Sequence, residues 1–100
     1  MSANAFEELE EKYDEIVNMM PDDNDFDSHD FILALSQEYQ RLYIEALYAR
    51  RDKNRPFHNV HMEIAKRLKK RVDLVTHIRN HRSDNIFRQK SLVAVWRKVK

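Results

Sequence analysis

The sequence predicts an all-α fold, a small single-domain bundle of about four helices, and three observations carry that expectation. Glycine is absent from all 100 residues, so most tight β-hairpin turns lose the residue that normally supplies their positive φ. Apolar residues recur at spacings of three and four through most of the chain, which is the period of an amphipathic helix. Pro21 and the polar run Asp52-Lys53-Asn54-Arg55-Pro56 stand where two of those periodic segments stop. A chain of this length makes one domain, 1–100, around a single core.

The first helix is expected over about 5–20, with Phe6, Leu9, Tyr13, Ile16, Val17 and Met20 on one stripe. Pro21 ends it, because the residue before a proline is disfavoured in the helical region. An acidic loop follows, and Asp27 or Ser28 is placed to cap a second helix over about 28–50. Phe31, Ile32, Leu35, Tyr39, Leu42, Tyr43, Ala46 and Leu47 give that helix a wide apolar face suited to the centre of the core. A third helical segment is expected over about 59–82, either continuous or split near 69–73, since Val60, Ile64, Ala65, Leu68, Val72, Val75 and Ile78 suit both arrangements. Ser91 could cap a last helix over about 91–99 bearing Leu92, Val95, Trp96 and Val99. Residues 92–96 are also rich in β-formers and could instead pair with 85–88 as a short β-hairpin. The lack of glycine for the turn favours the helix.

Charge divides the domain in two. Residues 1–50 hold 13 Asp and Glu against 3 Lys and Arg, whereas residues 51–100 hold 4 against 15. The acidic half thus carries −10 and the basic half +11. A basic surface of this kind suits a polyanion, and the acidic one suits a basic partner, a second copy or its own basic half.

Absences bound the chemistry. Without glycine there is no phosphate-cradling loop, dinucleotide fingerprint or nucleophile elbow of the usual kind. Without cysteine there is no disulfide, thiol nucleophile or thiolate-bound metal. No cofactor and no catalytic constellation is expected. The start Met-Ser-Ala-Asn-Ala-Phe-Glu-Glu has neither a basic nor an apolar run, and no stretch reads as a membrane span. The expectation is a cytoplasmic, non-enzymatic protein without a membrane partner.

Residues 61–80 carry the one suggestive pattern. Ile64-Ala65, Leu68, Val75 and Ile78 are spaced as in the helix-turn-helix DNA-binding superfamily, which this segment resembles. The turn positions, where that family usually has a glycine and then an apolar residue, are Lys69 and Lys70 here. The resemblance implies a DNA-binding module in which Arg71, Thr76, His77 and Asn80 face the major groove. Lys66, Arg67, Lys69, Lys70, Arg79 and Arg82 would surround them, as clustered cations must for phosphate neutralisation. The alternative partners are a homodimer or an oppositely charged protein, using the same charge split without nucleic acid.

Other constellations read as structural. His58/His61 and His77/His81 are local pairs, the second at i,i+4, but no cysteine accompanies them and the surrounding cations oppose a metal. Asp23, Asp25 and Asp27 resemble the start of a calcium loop, yet Ser28 and Ala34 replace its glycine and bidentate glutamate. His29-Asp30 has no earlier histidine to complete a metal-dependent phosphohydrolase centre. Tyr39 and Tyr43 lie on the apolar stripe and read as core, which leaves Tyr48, beside Arg50-Arg51, as the tyrosine open to a base.

Overall fold

The computed structural model describes residues 4–22 and 25–99. Asn4 starts the first helix by accepting the Phe6 amide on its side chain at 2.8 Å. That helix, α1 (Ala5–Glu10), gives way at Glu11-Lys12 to α2 (Tyr13–Met19), so the predicted segment of 5–20 is two short helices rather than one. The apolar stripe survives the break: Phe6, Leu9, Tyr13, Ile16 and Val17 are all buried.

Beyond Pro21 the chain forms a two-residue strand, β1 (Phe26–Asp27), and passes directly into α3 (Ser28–Glu38). Asp27 accepts the Asp30 amide at 2.9 Å while Asp30 accepts the Asp27 amide at 3.0 Å. This capping box satisfies two backbone donors reciprocally and fixes the strand-to-helix corner. Tyr39, at φ −127°, separates α3 from α4 (Gln40–Ala49), so the expected helix of 28–50 is also divided. Pro56, which needs no amide partner at a first helical position, opens α5 (Pro56–Lys69). Val60, Ile64 and Leu68 on its inner face meet Phe31, Leu35 and Tyr13 in the core. The Tyr13 hydroxyl donates to the Ile64 carbonyl at 2.9 Å, and its ring packs edge-on to Phe31 at 4.8 Å.

The last quarter overturns the all-α expectation. Residues 75–84 form β2 (Val75–Asp84) and residues 90–98 form β3 (Lys90–Lys98), which pair antiparallel as a long hairpin. β1 adds to the other side of β3, with Phe26 opposite Trp96, giving a three-stranded antiparallel sheet in the order β1-β3-β2. The described residues therefore form an α+β fold of five helices and one sheet, not a helical bundle. Neither reading of 59–82 holds, because the helix ends at Lys69 and the chain turns into a strand. The helix at 91–99 is a strand as well. The short-hairpin alternative had the wrong partners, since residues 85–88 lie in the turn itself.

Two physical causes account for this. Val75, Thr76 and Ile78 at the start of β2 are β-branched, so each loses side-chain freedom in a helix and fits a pleated surface better. The hairpin also finds a turn that does without glycine. Asn85 accepts the Phe87 and Gln89 amides on its side chain at 2.8 and 3.1 Å, and its carbonyl accepts the Arg88 amide at 2.9 Å. Arg88 then takes the left-handed conformation, φ 62°, that this type of three-residue loop usually gives to glycine. A residue with a Cβ is strained there. Replacing Arg88 by glycine should therefore raise the unfolding free energy by about 0.5–1 kcal/mol, read as a higher urea midpoint at unchanged slope.

Candidate functional site

The acidic and basic halves meet along one side of the molecule, and this decides which cations remain available. Arg67, on α5, contacts Glu63 one turn earlier at 2.7 Å and Glu10 of α1 at 3.0 Å. Arg71 reaches Asp14 at 3.2 Å and Asp73 at 2.9 Å. At the far end of the sheet, Arg97 and Arg79 share Asp25 at 2.9 and 3.5 Å, and Lys98 contacts Asp22 at 2.7 Å. The Arg97 guanidinium holds the Asp25 carboxyl below its ordinary range, as Arg67 does for Glu63. Much of the charge split is thus resolved within the chain.

Lys66, Lys69, Lys70 and Arg82 are different. All four are exposed, and among the described residues none has a carboxylate within 4.0 Å. Lys66 and Lys69 sit one turn apart on the outer face of α5 and line a cleft of about 1110 Å³ between this helix and the β2–β3 hairpin. His77 and Asn80 line the opposite wall, with the His77 Nε2 3.0 Å from the Asn80 amide oxygen. Arg82 pairs in register with Leu92, which also lines the cleft.

The ten residues picked from the sequence therefore separate. Lys66, Lys69, His77 and Asn80 converge on the cleft, Arg82 lies across the hairpin from cleft-lining Leu92, and Lys70 and Thr76 are exposed but outside the lining. Arg67, Arg71 and Arg79 are committed to carboxylates of the acidic half. No second helix follows α5, so the groove-facing arrangement implied by the helix-turn-helix resemblance does not form: Val75, Thr76, His77, Ile78 and Asn80 belong to a strand.

The hairpin is held over the helices by polar contacts as well as by packing. His29 on α3 bridges its two strands, with Nδ1 2.7 Å from the Ser83 hydroxyl and Nε2 3.1 Å from that of Ser91. His81 Nε2 lies 2.8 Å from Asp27, so His77 and His81 are not paired on one helical face. Burial pushes the Asp27 carboxyl up, but hydrogen bonds from Ser83, His81 and the Asp30 amide outweigh it and keep the group below its usual range. Trp96 donates from Nε1 to the buried Ser28 hydroxyl at 3.0 Å.

Histidine and aromatic side chains continue up the cleft. Burial lowers the His61 pKa to about 4 and raises that of Tyr43 to about 12, so both side chains are neutral where the Tyr43 hydroxyl and His61 Nε2 share a hydrogen bond at 2.6 Å. The rings of Tyr43 and His61 stack at 5.9 Å, His61 meets Phe57 at 6.3 Å, and Phe57 meets Phe87 of the turn edge-to-face at 5.0 Å. Phe57 and Phe87 remain 40 and 50% exposed. The sequence reading missed both. The available signal was an aromatic beside a cation or histidine within polar loops, Phe57-His58 and Phe87-Arg88.

No family model matches the chain, and no curated protein or solved structure matches it. The side chains alone must carry a functional reading.

Among the described residues, no group of three or more His, Cys, Asp or Glu is placed to hold a metal. Asp23, from the acidic loop, lies outside the described residues; Asp25 and Asp27 are engaged by Arg97 and by the α3 cap. His29 and Asp30 serve the hairpin and the cap. Tyr48 is covered on one face by Arg51, whose guanidinium lies 4.0 Å from the ring centre. No described helix is long and apolar enough to cross a membrane.

Proposed function

We propose that this domain binds nucleic acid through the face made by α5 and the hairpin. One observation carries the reading: the acidic half neutralises Arg67, Arg71, Arg79, Arg97 and Lys98, whereas Arg55, Lys66 and Lys69 of the cleft have no carboxylate within 4.0 Å among the described residues. Intramolecular charge balance alone gives no reason for that asymmetry. Exposed, clustered lysines beside a groove are what phosphate neutralisation requires. His77 and Asn80, on the facing wall, supply hydrogen-bonding groups of the kind that contact bases. Among the described residues Glu63 is the one carboxylate lining the cleft, and Arg67 and Arg50 hold it at 2.7 and 3.9 Å.

Salt-titrated binding to a labelled DNA, offered in duplex and single-stranded form, tests the proposal. Binding at about 50 mM salt is expected to weaken steeply towards about 200 mM, with log K linear in log salt. Three or four phosphate contacts, from Lys66, Lys69, Lys70 and Arg82, give a slope between about −2 and −4. Retention of neither form at the lower salt overturns the reading.

A further inference from the structure

We infer that the cleft between α5 and the hairpin is a site for single-stranded nucleic acid, with an unpaired base stacked on Phe87 at its mouth. The inference rests on the nucleic-acid reading above and adds the class of strand.

The argument begins with surface that the fold itself does not explain. Four large apolar side chains stay open around this cleft: Phe57 at 40%, Met62 at 60%, Phe87 at 50% and Leu92 at 63% exposure. A duplex contacts its protein chiefly through phosphates, sugars and groove edges, and would leave such a surface badly matched. Unstacked bases match it, because every base has an apolar π-face.

Geometry supports the same conclusion. Phe57 is fixed at the start of α5 directly after Pro56, and Phe87 is fixed by the amide that Asn85 accepts beside it. Their rings are perpendicular, with an interplanar angle of 88°, so each presents a different face to an incoming base. Arg55, Lys66, Lys69 and Lys90 line the same cleft, and Lys90 is the one of these four with an acidic contact, to exposed Asp84 at 3.1 Å. Stacking rings above a cationic track form the general recipe for holding a single strand. At about 1110 Å³ the cleft has room for a short stretch of strand.

The test compares oligothymidylate with a duplex of the same length, on the wild-type protein, Phe87→Ala, Phe87→Leu and Phe87→Trp. The single strand is expected to bind the wild type more tightly than the duplex. Phe87→Ala should weaken that binding by roughly 5- to 150-fold, the range for losing one base-stacking aromatic. The salt slope should not change, because no phosphate contact is lost. Phe87→Leu keeps apolar contact with Phe57 and should fail like alanine, whereas Phe87→Trp should restore binding. Urea midpoints measured alongside separate lost stacking from lost folding. Duplex binding equal to or tighter than single-strand binding overturns this inference and leaves the nucleic-acid reading standing, as does full binding by Phe87→Leu. Failure of both strands to bind the wild type overturns both.

Discussion

Replacing Trp96 by alanine is expected to lower the unfolding free energy by about 3–5 kcal/mol. Trp96 is 3% exposed and stands in β3, the central strand, paired with Phe26 on one side and His77 on the other. Its removal opens a cavity where the sheet meets the helices. It also takes away the Nε1 donor to the buried Ser28 hydroxyl. A domain of this size has about 5–15 kcal/mol in total, so the variant sits near its folding limit. At roughly 4–8 °C per kcal/mol, the melting temperature should drop by more than about 12 °C. Phe keeps most of the ring volume and loses the hydrogen bond, and Trp96→Phe should cost only about 1–2 kcal/mol. Chemical unfolding of both variants, followed by far-ultraviolet circular dichroism, checks the pair of values. A loss below about 1 kcal/mol for Trp96→Ala would mean that the tail does not pack as the sheet describes.

That tail is where reading the sequence fails, and the failure has a definite cause. The helical stripe at Phe6, Leu9, Tyr13, Ile16 and Val17 was legible because one buried face imposes one period. The cap at Asp27 was legible because its chemistry is local. Between Leu68 and Ile78 the apolar spacing fits a helix equally well, and only the β-branched content distinguishes a strand. What stabilises β2 is its pairing with β3, and no pattern within residues 75–84 reports on residues 90–98. The missing glycine misled for a related reason. Asn85 and a left-handed Arg88 make the turn, at a local cost that the long hairpin outweighs. The breaks at Lys12 and Tyr39 contain neither proline nor glycine and had no local signal.

The site was half legible for a similar reason. Clustered cations are visible in any sequence, but their partners are not. Arg67 and Arg71 look like the best phosphate ligands in the segment, yet Glu10 and Asp14 lie 57 positions away in the chain and engage both. Lys66 and Lys69, their near neighbours on α5, point to the other side. For Arg67 helical geometry produces this division, since residues one position apart face directions about 100° apart at 3.6 residues per turn, whereas Arg71 lies beyond the end of α5.

The same division yields the sharpest expectation for binding. Lys66→Glu/Lys69→Glu should weaken nucleic-acid binding on the order of 100-fold, because two phosphate contacts are lost and two repulsive charges replace them. The milder Lys66→Gln/Lys69→Gln should reduce the magnitude of the salt slope by about 1.4–1.8. Neither pair should unfold the domain, since both side chains are exposed and unpaired. Acidic residues in the last turn of α5 oppose the helix dipole, which costs the Glu variant only about 0.3–1 kcal/mol per residue. Arg71→Gln is the informative contrast. It removes one formal charge from the same stretch of sequence, but that charge already faces Asp14 and Asp73 at 3.2 and 2.9 Å. Its binding and salt slope should match the wild type, with a stability loss of no more than about 1 kcal/mol from ion pairs near the surface. Equal effects of Arg71→Gln and a single Lys66→Gln would show that net charge, not the cleft, governs association. Separate effects locate the bound phosphates on the outer face of α5.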